Sequence, residues 1–277
     1  MARGIVMATL LLWACTQARF VPPHTRGVAV APTREPRAEP ARSAAWLELS
    51  PAPPAAAGSI AILEPRAGQE LSASDAARTP LRVQAERGDF LIELGLDGGR
   101  GRPVSTLPEA PTLADLAQEP TLTEGEHFVV AALRRDENAP ARFAISRFSV
   151  GQSPRRGAAA NESGGRPPEK AALPLVYCGR PVGSYYAARG TSLLLDFAID
   201  GFELGPGGTL LVRASRLRDP ASAREARLRE LGPRFISGID GGDWQIELSL
   251  QDAAGKSLAA PFARASCTLT YNEVSGP

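Results

Sequence analysis

Residues Ile236 to Tyr271 read ISGIDGGDWQIELSLQDAAGKSLAAPFARASCTLTY, and this stretch decides the fold. Trp244, Ile246, Leu248 and Leu250 fall on one side of an extended chain, with Gln245, Glu247, Ser249 and Gln251 on the other. Such alternation predicts a half-buried β-strand, because successive strand side chains point to opposite faces. A turn follows at Asp252-Ala253-Ala254-Gly255. Beyond it Ala265, Cys267, Leu269 and Tyr271 alternate with Arg264, Ser266, Thr268 and Thr270. The unit predicts a hairpin that closes a β-sandwich.

Upstream, residues 173–272 read as one body. Leu193, Leu195, Phe197 and Ile199 alternate with Leu194, Asp196, Ala198 and Asp200, and Thr209 to Ala214 follow a Gly/Pro turn. Asp219-Pro220 before the run SAREARLREL, with Gly232-Pro233 after it, carries helix start and stop signals, so a short helix is predicted there. Its charges, Arg224, Glu225, Arg227, Arg229 and Glu230, then form a solvated face or, less simply, an anion site.

Residues 58–150 read as another body of short strands: Ile60 and Ile62, Leu81 to Ala85, Phe90 to Leu96, a run apolar on both faces at His127 to Leu133, and Phe143 to Val150. Short strands punctuated by Gly, Pro and Asp predict a sandwich. TLADLAQ at 112–118 predicts a helical turn. Asp97-Gly98-Gly99 reads as a hairpin turn. It lacks the Lys and the strand-to-helix setting of a phosphate loop.

The bodies echo each other. Gly125-Glu126-His127 opens the late strand of one and Gly242-Asp243-Trp244 that of the other, with Phe143-Ala144 and Phe262-Ala263 at similar offsets. A repeat on this scale implies tandem copies of one fold. Residues 151–172, GQSPRRGAAANESGGRPPEKAA, read as a linker, which predicts bodies that move relative to each other. Residues 273–277 are a tail.

The N-terminus reads as an address. Residues 1–15, MARGIVMATLLLWAC, have a positive start at Arg3 and an apolar stretch from Ile5 to Ala14. As a helix, ten residues reach about 15 Å, roughly half a bilayer core, so the segment predicts a cleavable signal. Its end, Leu12-Trp13-Ala14-Cys15, resembles the lipobox of bacterial lipoproteins, although Trp13 is bulkier than usual at its position. That resemblance implies cleavage before Cys15 and acylation of its sulfur. The other reading is an ordinary secretory signal. Residues 16–57, rich in Pro, Ala and Arg, predict a disordered tether spanning roughly 35 Å or more. Within it Ala45 to Leu49 is an apolar island, either docked on the first body or partly ordered linker.

The 277-residue chain has a net charge of +1, which argues against a nucleic-acid partner. With two histidines a multi-His metal site is excluded, and no cofactor is expected. If Cys15 carries lipid, Cys178 and Cys267 remain as an even pair in an oxidising compartment. They lie in the first and last strands of the second body, with Cys267 facing inward beside Leu269 and Tyr271. A bond closing about 90 residues contributes roughly 4–5 kcal/mol in the chain-entropy model. Two buried thiols are the other reading.

Several segments together resemble a loosely described group of bacterial envelope lipoproteins: Leu175 to Gly183, Leu193 to Phe197, Gly232 to Ile236, Gly242 to Asp252, and Pro261-Phe262. Cys178, Val182 and the stretch Arg218 to Leu231 depart from that pattern. The resemblance implies tandem immunoglobulin-like modules and an envelope location, on the outer-membrane or periplasmic face, but no reaction. The expected fold is therefore all-β, two tandem immunoglobulin-like sandwiches after a signal peptide and a tether.

The expected function is a non-enzymatic binding or scaffolding module held to a membrane at Cys15, with a protein or glycan partner. Tyr185 and Tyr186, the adjacent aromatic pair, are the material for a glycan site. The enzyme alternative is a hydrolase using Asp196, Asp200 and Glu203. Asp196 and Asp200 share a strand face about 13 Å apart, beyond the ~5–9.5 Å that paired glycosidase carboxylates need. His127, without a second ligand or nucleophile beside it, reads as structural.

Overall fold

The computed structural model describes residues 45–55, 57–86, 88–117, 122–151 and 173–274. Two short strands come first, β1 (Ala45–Trp46) and β2 (Glu48–Pro51). The next body contains β3 (Ile60–Glu64), β4 (Gln69–Ser72), helical turn α1 (Ala73–Ala76), β5 (Arg82–Ala85), β6 (Leu91–Leu96) and β7 (Arg102–Pro103). It continues with turn α2 (Leu113–Leu116), β8 (Gly125–Arg134) and β9 (Arg142–Gly151). The last body contains β10 (Leu175–Arg180), β11 (Gly183–Ala187), β12 (Leu193–Asp200) and β13 (Gly208–Arg216). It ends with β14 (Asp219–Leu228), β15 (Arg234–Ser237), β16 (Gly242–Asp252) and β17 (Arg264–Glu273). The fold is all-β, as expected, and is built of two sandwiches.

β16 and β17 are the predicted hairpin, paired from Gly242↔Tyr271 to Ser249↔Arg264. Trp244, Ile246, Leu248 and Leu250 are each at most 1% exposed, so the alternation marks the core face. A six-stranded sheet, β1-β14-β13-β16-β17-β11, packs on a four-stranded sheet, β10-β12-β15-β2. Val176, Leu195, Phe197, Leu210, Val212, Ile236 and Ile246 fill the space between them. The disulfide joins Cys178 of β10 to Cys267 of β17 and so ties the two sheets together, with Cα atoms 6.0 Å apart. Replacing both cysteines by alanine is expected to cost roughly 2–4 kcal/mol, read as a fall in the urea midpoint that reductant reproduces in the native chain.

The other sandwich packs the sheet β4-β9-β8-β6-β7 against β3-β5 and the two helical turns, around Leu94, Leu113, Val129, Ala131 and Phe148. The expected turn forms at Leu113–Leu116, where Asp115 Oδ2 accepts from the Thr112 N–H at 2.7 Å and from the Thr112 hydroxyl at 2.8 Å. The repeat shows in the topology. β3 ends at Pro65 and the chain crosses to lie as β4 parallel to β9; β10 ends at Pro181 and crosses to lie as β11 parallel to β17. Proline has no N–H to donate and cannot continue a ladder.

Three expectations are corrected. The helix predicted after Asp219-Pro220 is strand β14, paired with β13 from Leu210↔Leu228 to Arg216↔Asp219. Ala226 and Leu228 are buried and Arg227 between them is exposed, so period two outweighs the helix-favouring Arg, Glu and Ala composition once β13 offers a ladder. Next, residues 45–51, assigned to the tether, are sheet. β1 runs parallel to β14, and β2 pairs antiparallel with β15 from Ser237↔Glu48 to Arg234↔Pro51. Leu47 between them is 5% exposed in the core of the second sandwich. The apolar island therefore docks on the second body, and the sandwich of β3–β9 is an insertion between β2 and β10.

The last correction concerns independence. The sandwiches share a third core of Phe128, Val130, Leu175, Tyr177 and Ala198, with Phe143 and Ile145 against it. β8 buries Val129 and Ala131 in its own sandwich and Phe128 and Val130 against the other. β10 does the same with Val176 and Cys178 on one face and Leu175 and Tyr177 on the other. The two sandwiches thus belong to one compact unit. The expected linker, apart from Gly151, and the expected Cys15 site lie outside the described residues.

Candidate functional site

The seam between the sandwiches carries the charged residues. Arg134, at the end of β8, has a side chain with no exposure. Its Nε donates to Glu93 Oε2 at 3.0 Å, and Nη1 donates to Asp196 Oδ2 at 2.7 Å and to the Ala139 carbonyl at 3.0 Å. Arg180, at the end of β10, donates from Nη2 to Glu93 Oε1 at 2.7 Å. Ala141 N–H also donates to Asp196 Oδ2, at 2.9 Å. Burial works to raise the Glu93 carboxyl, but Arg180 and Arg134 outweigh it and hold the group below the ordinary range. Burial pushes the Asp196 carboxyl up, and Arg134 offsets only part of that. Farther along the seam Arg147 Nε donates to Asp200 Oδ2 at 2.6 Å.

Glycines let the faces approach. A Cβ on Gly179 would lie 3.0 Å from Arg134 Nη2 and from the Phe143 ring, and one on Gly95 would lie 3.1 Å from the Tyr177 hydroxyl. Tyr177 is buried there, which pushes its phenol up to about 12.

At one end the seam opens into a cleft of about 880 Å³. One wall is the chain after β6, from Gly99 to Pro103; the other is Val182 with Gly183 to Tyr186 of β11, an edge strand. Glu93 and Arg180 form its floor, and Glu137 and Asn138 stand at its rim. The first wall is anchored by the turn that precedes it. Asp97 adopts φ 51° there, a conformation Asp tolerates better than most residues. Its Oδ1 accepts Phe128 N–H at 2.9 Å and its Oδ2 lies 2.6 Å from His127 Nδ1. His127 Nε2 lies 2.8 Å from the Thr123 carbonyl, and its ring stacks on Phe148. Past the turn, Arg100 reaches across to Gly183: a Cβ there would be 3.1 Å from Arg100 Nη2. Arg102 donates to the Asp115 carbonyl. Tyr185 is half-buried and its hydroxyl accepts Val182 N–H at 3.3 Å, whereas Tyr186 is 72% exposed. A second depression, of about 660 Å³, overlies alternating strand side chains including Arg213, Glu247 and Arg264.

Both partners of His127 are acceptors, so only the doubly protonated ring satisfies both. The bond to Asp97 outweighs burial and raises the His127 pKa. A histidine whose folded pKa is raised contributes stability that is present below its unfolded pKa of about 6.5 and lost as pH rises through the folded value. The native chain is therefore expected to lose Tm between pH 5.5 and 8.5 relative to Asp97→Asn, in parallel melts; equal slopes would exclude the effect.

The sequence candidates separate. Asp196 and Asp200 are both consumed by arginines at the seam, and Glu203 is exposed on a loop elsewhere. The three do not form a site. His127 is held at both ring nitrogens, by Asp97 and by the Thr123 carbonyl. Tyr185 and Tyr186 line the cleft with Arg180, which precedes β11 in the chain; Arg100 and Arg102 reach β11 only through the docking of the two sandwiches, which no local sequence signal marks. In β14, Arg224 lies over the Trp244 ring at 5.9 Å and donates to the Gly238 carbonyl, and Glu225 faces Arg213. Among the described residues no group of three His, Cys, Asp or Glu side chains is placed to hold a metal, and no helix is long and apolar enough to cross a membrane.

No family model and no curated protein matches the chain. Among solved structures it is similar to the fibronectin(III)-like modules of Clostridium thermocellum CbhA, at 11% identity over 78% of this chain and 95% of that one, with a TM-score of 0.28. It is also similar to the Bacteroides ovatus protein SGBP-B in complex with a mixed-linkage heptasaccharide, at 13% identity over 76% and 47% of the two chains, TM-score 0.21. A Parabacteroides merdae beta-glucuronidase matches at 13% identity and TM-score 0.24, with 78% of this chain spanning a quarter (25%) of the enzyme. Scores this low carry no assignment of function.

Proposed function

We propose that the chain is a non-enzymatic binding protein of a bacterial envelope, held to the membrane by lipid on Cys15, with the cleft beside β11 as its ligand site. The observation that carries the reading is the seam network. Asp196 and Asp200, the acids best suited to catalysis by sequence, are bonded to Arg134 and Arg147 instead. The same network joins Glu93 and Arg180 in the cleft floor, so the walls are held at a fixed separation by groups committed to structure. The disulfide suits an oxidising compartment, and the lipobox-like Leu12-Trp13-Ala14-Cys15 suits acylation.

Two measurements test it. Mass spectrometry of the mature N-terminus is expected to show acylated Cys15, with Cys15→Ser moving the protein out of the membrane fraction; an unmodified Cys15 removes the anchor. Envelope material captured by the full Cys15→Ser chain is expected to be lost with Tyr186→Ala. Capture indifferent to Tyr186 removes the cleft as the site, and turnover of the captured material removes the non-enzymatic reading.

A further inference from the structure

The geometry points to a carboxylated saccharide as the ligand of the cleft, with the Tyr186 ring as its stacking platform and Arg100 as the group that reads the carboxylate. The inference rests on the reading of the cleft as the binding site.

The charge pattern carries it. At the seam Arg134, Arg147 and Arg180 each have a carboxylate within 3.0 Å. Arg100 is exposed in the cleft and has no such partner among the described residues. Arg102 is bonded to the Asp115 backbone carbonyl and also lies in the field of the Asp115 carboxylate, which offsets part of its charge. One wall therefore presents Arg100 as a guanidinium without a carboxylate, beside the partly offset Arg102, and a guanidinium matches a carboxylate with two parallel hydrogen bonds. Glu137 at the rim keeps the local excess small. A ligand with separated carboxylates fits that excess; a dense polyanion such as a nucleic acid does not.

The opposite wall selects the class. Tyr186 is a large, rigid and exposed ring on an edge strand. A sugar ring offers it a face of C–H groups and offers hydroxyls to Asn138, Ser184 and Thr106. An acidic peptide adding to the β11 edge would instead need apolar pockets at alternate positions, where this strand exposes Ser184 and Tyr186.

The test is calorimetry of the full Cys15→Ser chain with three probes: tetragalacturonate, its methyl ester, and capped tetraglutamate. Tetragalacturonate is expected to bind, more weakly as salt rises. Arg100→Ala is expected to weaken it about tenfold or more, the size of one charge-assisted hydrogen bond, and to leave the ester unchanged. Tyr186→Ala is expected to weaken both saccharides. Both side chains are exposed, so an unchanged Tm shows that the variants fold. Equal binding of acid and ester, or tighter binding of tetraglutamate, overturns the ligand class. If no probe binds while envelope capture still depends on Tyr186, the ligand class falls and the cleft stands. If capture also ignores Tyr186, both fall.

Discussion

A chain that begins at residue 58 is expected to be less stable than one that begins at residue 43 by roughly 4 kcal/mol or more. Boundaries drawn from composition would place the cut at 58, since Pro51 to Pro54 reads as tether. The structure puts two strands of the second sandwich before it. β2 pairs with β15 along its whole length, Leu47 N–H donates to the Glu225 carbonyl at 2.8 Å, and Ala52 N–H donates to the Pro233 carbonyl at 3.1 Å. Leu47 is buried in the main core and Leu49 packs against it. Losing Leu47 alone compares with a large-to-small core substitution, about 2–5 kcal/mol. The cut also uncovers Ile236, which has no exposure, and leaves β15 as a bare edge open to aggregation. Ordering entropy recovered by the shorter chain offsets part of this. Urea midpoints of the two chains decide it; equal midpoints would mean that β1 and β2 contribute nothing.

The hairpin and the two sandwiches were legible because their signal is local. Trp244 to Leu250 alternate strictly, and one buried face is enough to specify the strand and its register. Cysteine arithmetic and the inward face of Cys267 favoured a bond to Cys178 over two buried thiols, and the structure decides for the bond. The seam was not legible, because its residues look like a solvent face. In β12, Leu194, Asp196 and Ala198 alternate with the core residues and are at most 9% exposed, since the other sandwich covers them. A buried Asp reads from sequence as surface or catalysis, and only its partner Arg134, 62 residues away, shows it to be neither. The cleft was half legible for the same reason. Tyr185 and Tyr186 announce themselves as neighbours, whereas Arg100 joins them only through the turn that Asp97 and His127 hold in place.

Asp196→Ala is expected to destabilise the native chain by about 3–5 kcal/mol, the usual consequence of removing one partner of a buried pair. The cost arises in what is left behind. Arg134 keeps Glu93 and the Ala139 carbonyl but loses its 2.7 Å bond, while its Nη2 already lacks a hydrogen-bond partner. Ala141 N–H is orphaned as well. Asp196→Asn keeps the shape and one acceptor, so it is expected to cost less. Replacing both members, as in Arg134→Met with Asp196→Leu, is expected to be milder than the sum of the single changes, because no charge is stranded. The cycle separates the two meanings of a buried acid. A catalytic Asp196 would lose activity on substitution while stability held or rose, since strained active-site groups are commonly destabilising. A structural Asp196 loses stability and couples to Arg134. Additive single effects, or an Asp196→Ala chain as stable as the native one, would mean that the sandwiches are held by their shared apolar core alone. The cleft walls would then have no polar latch to set their spacing.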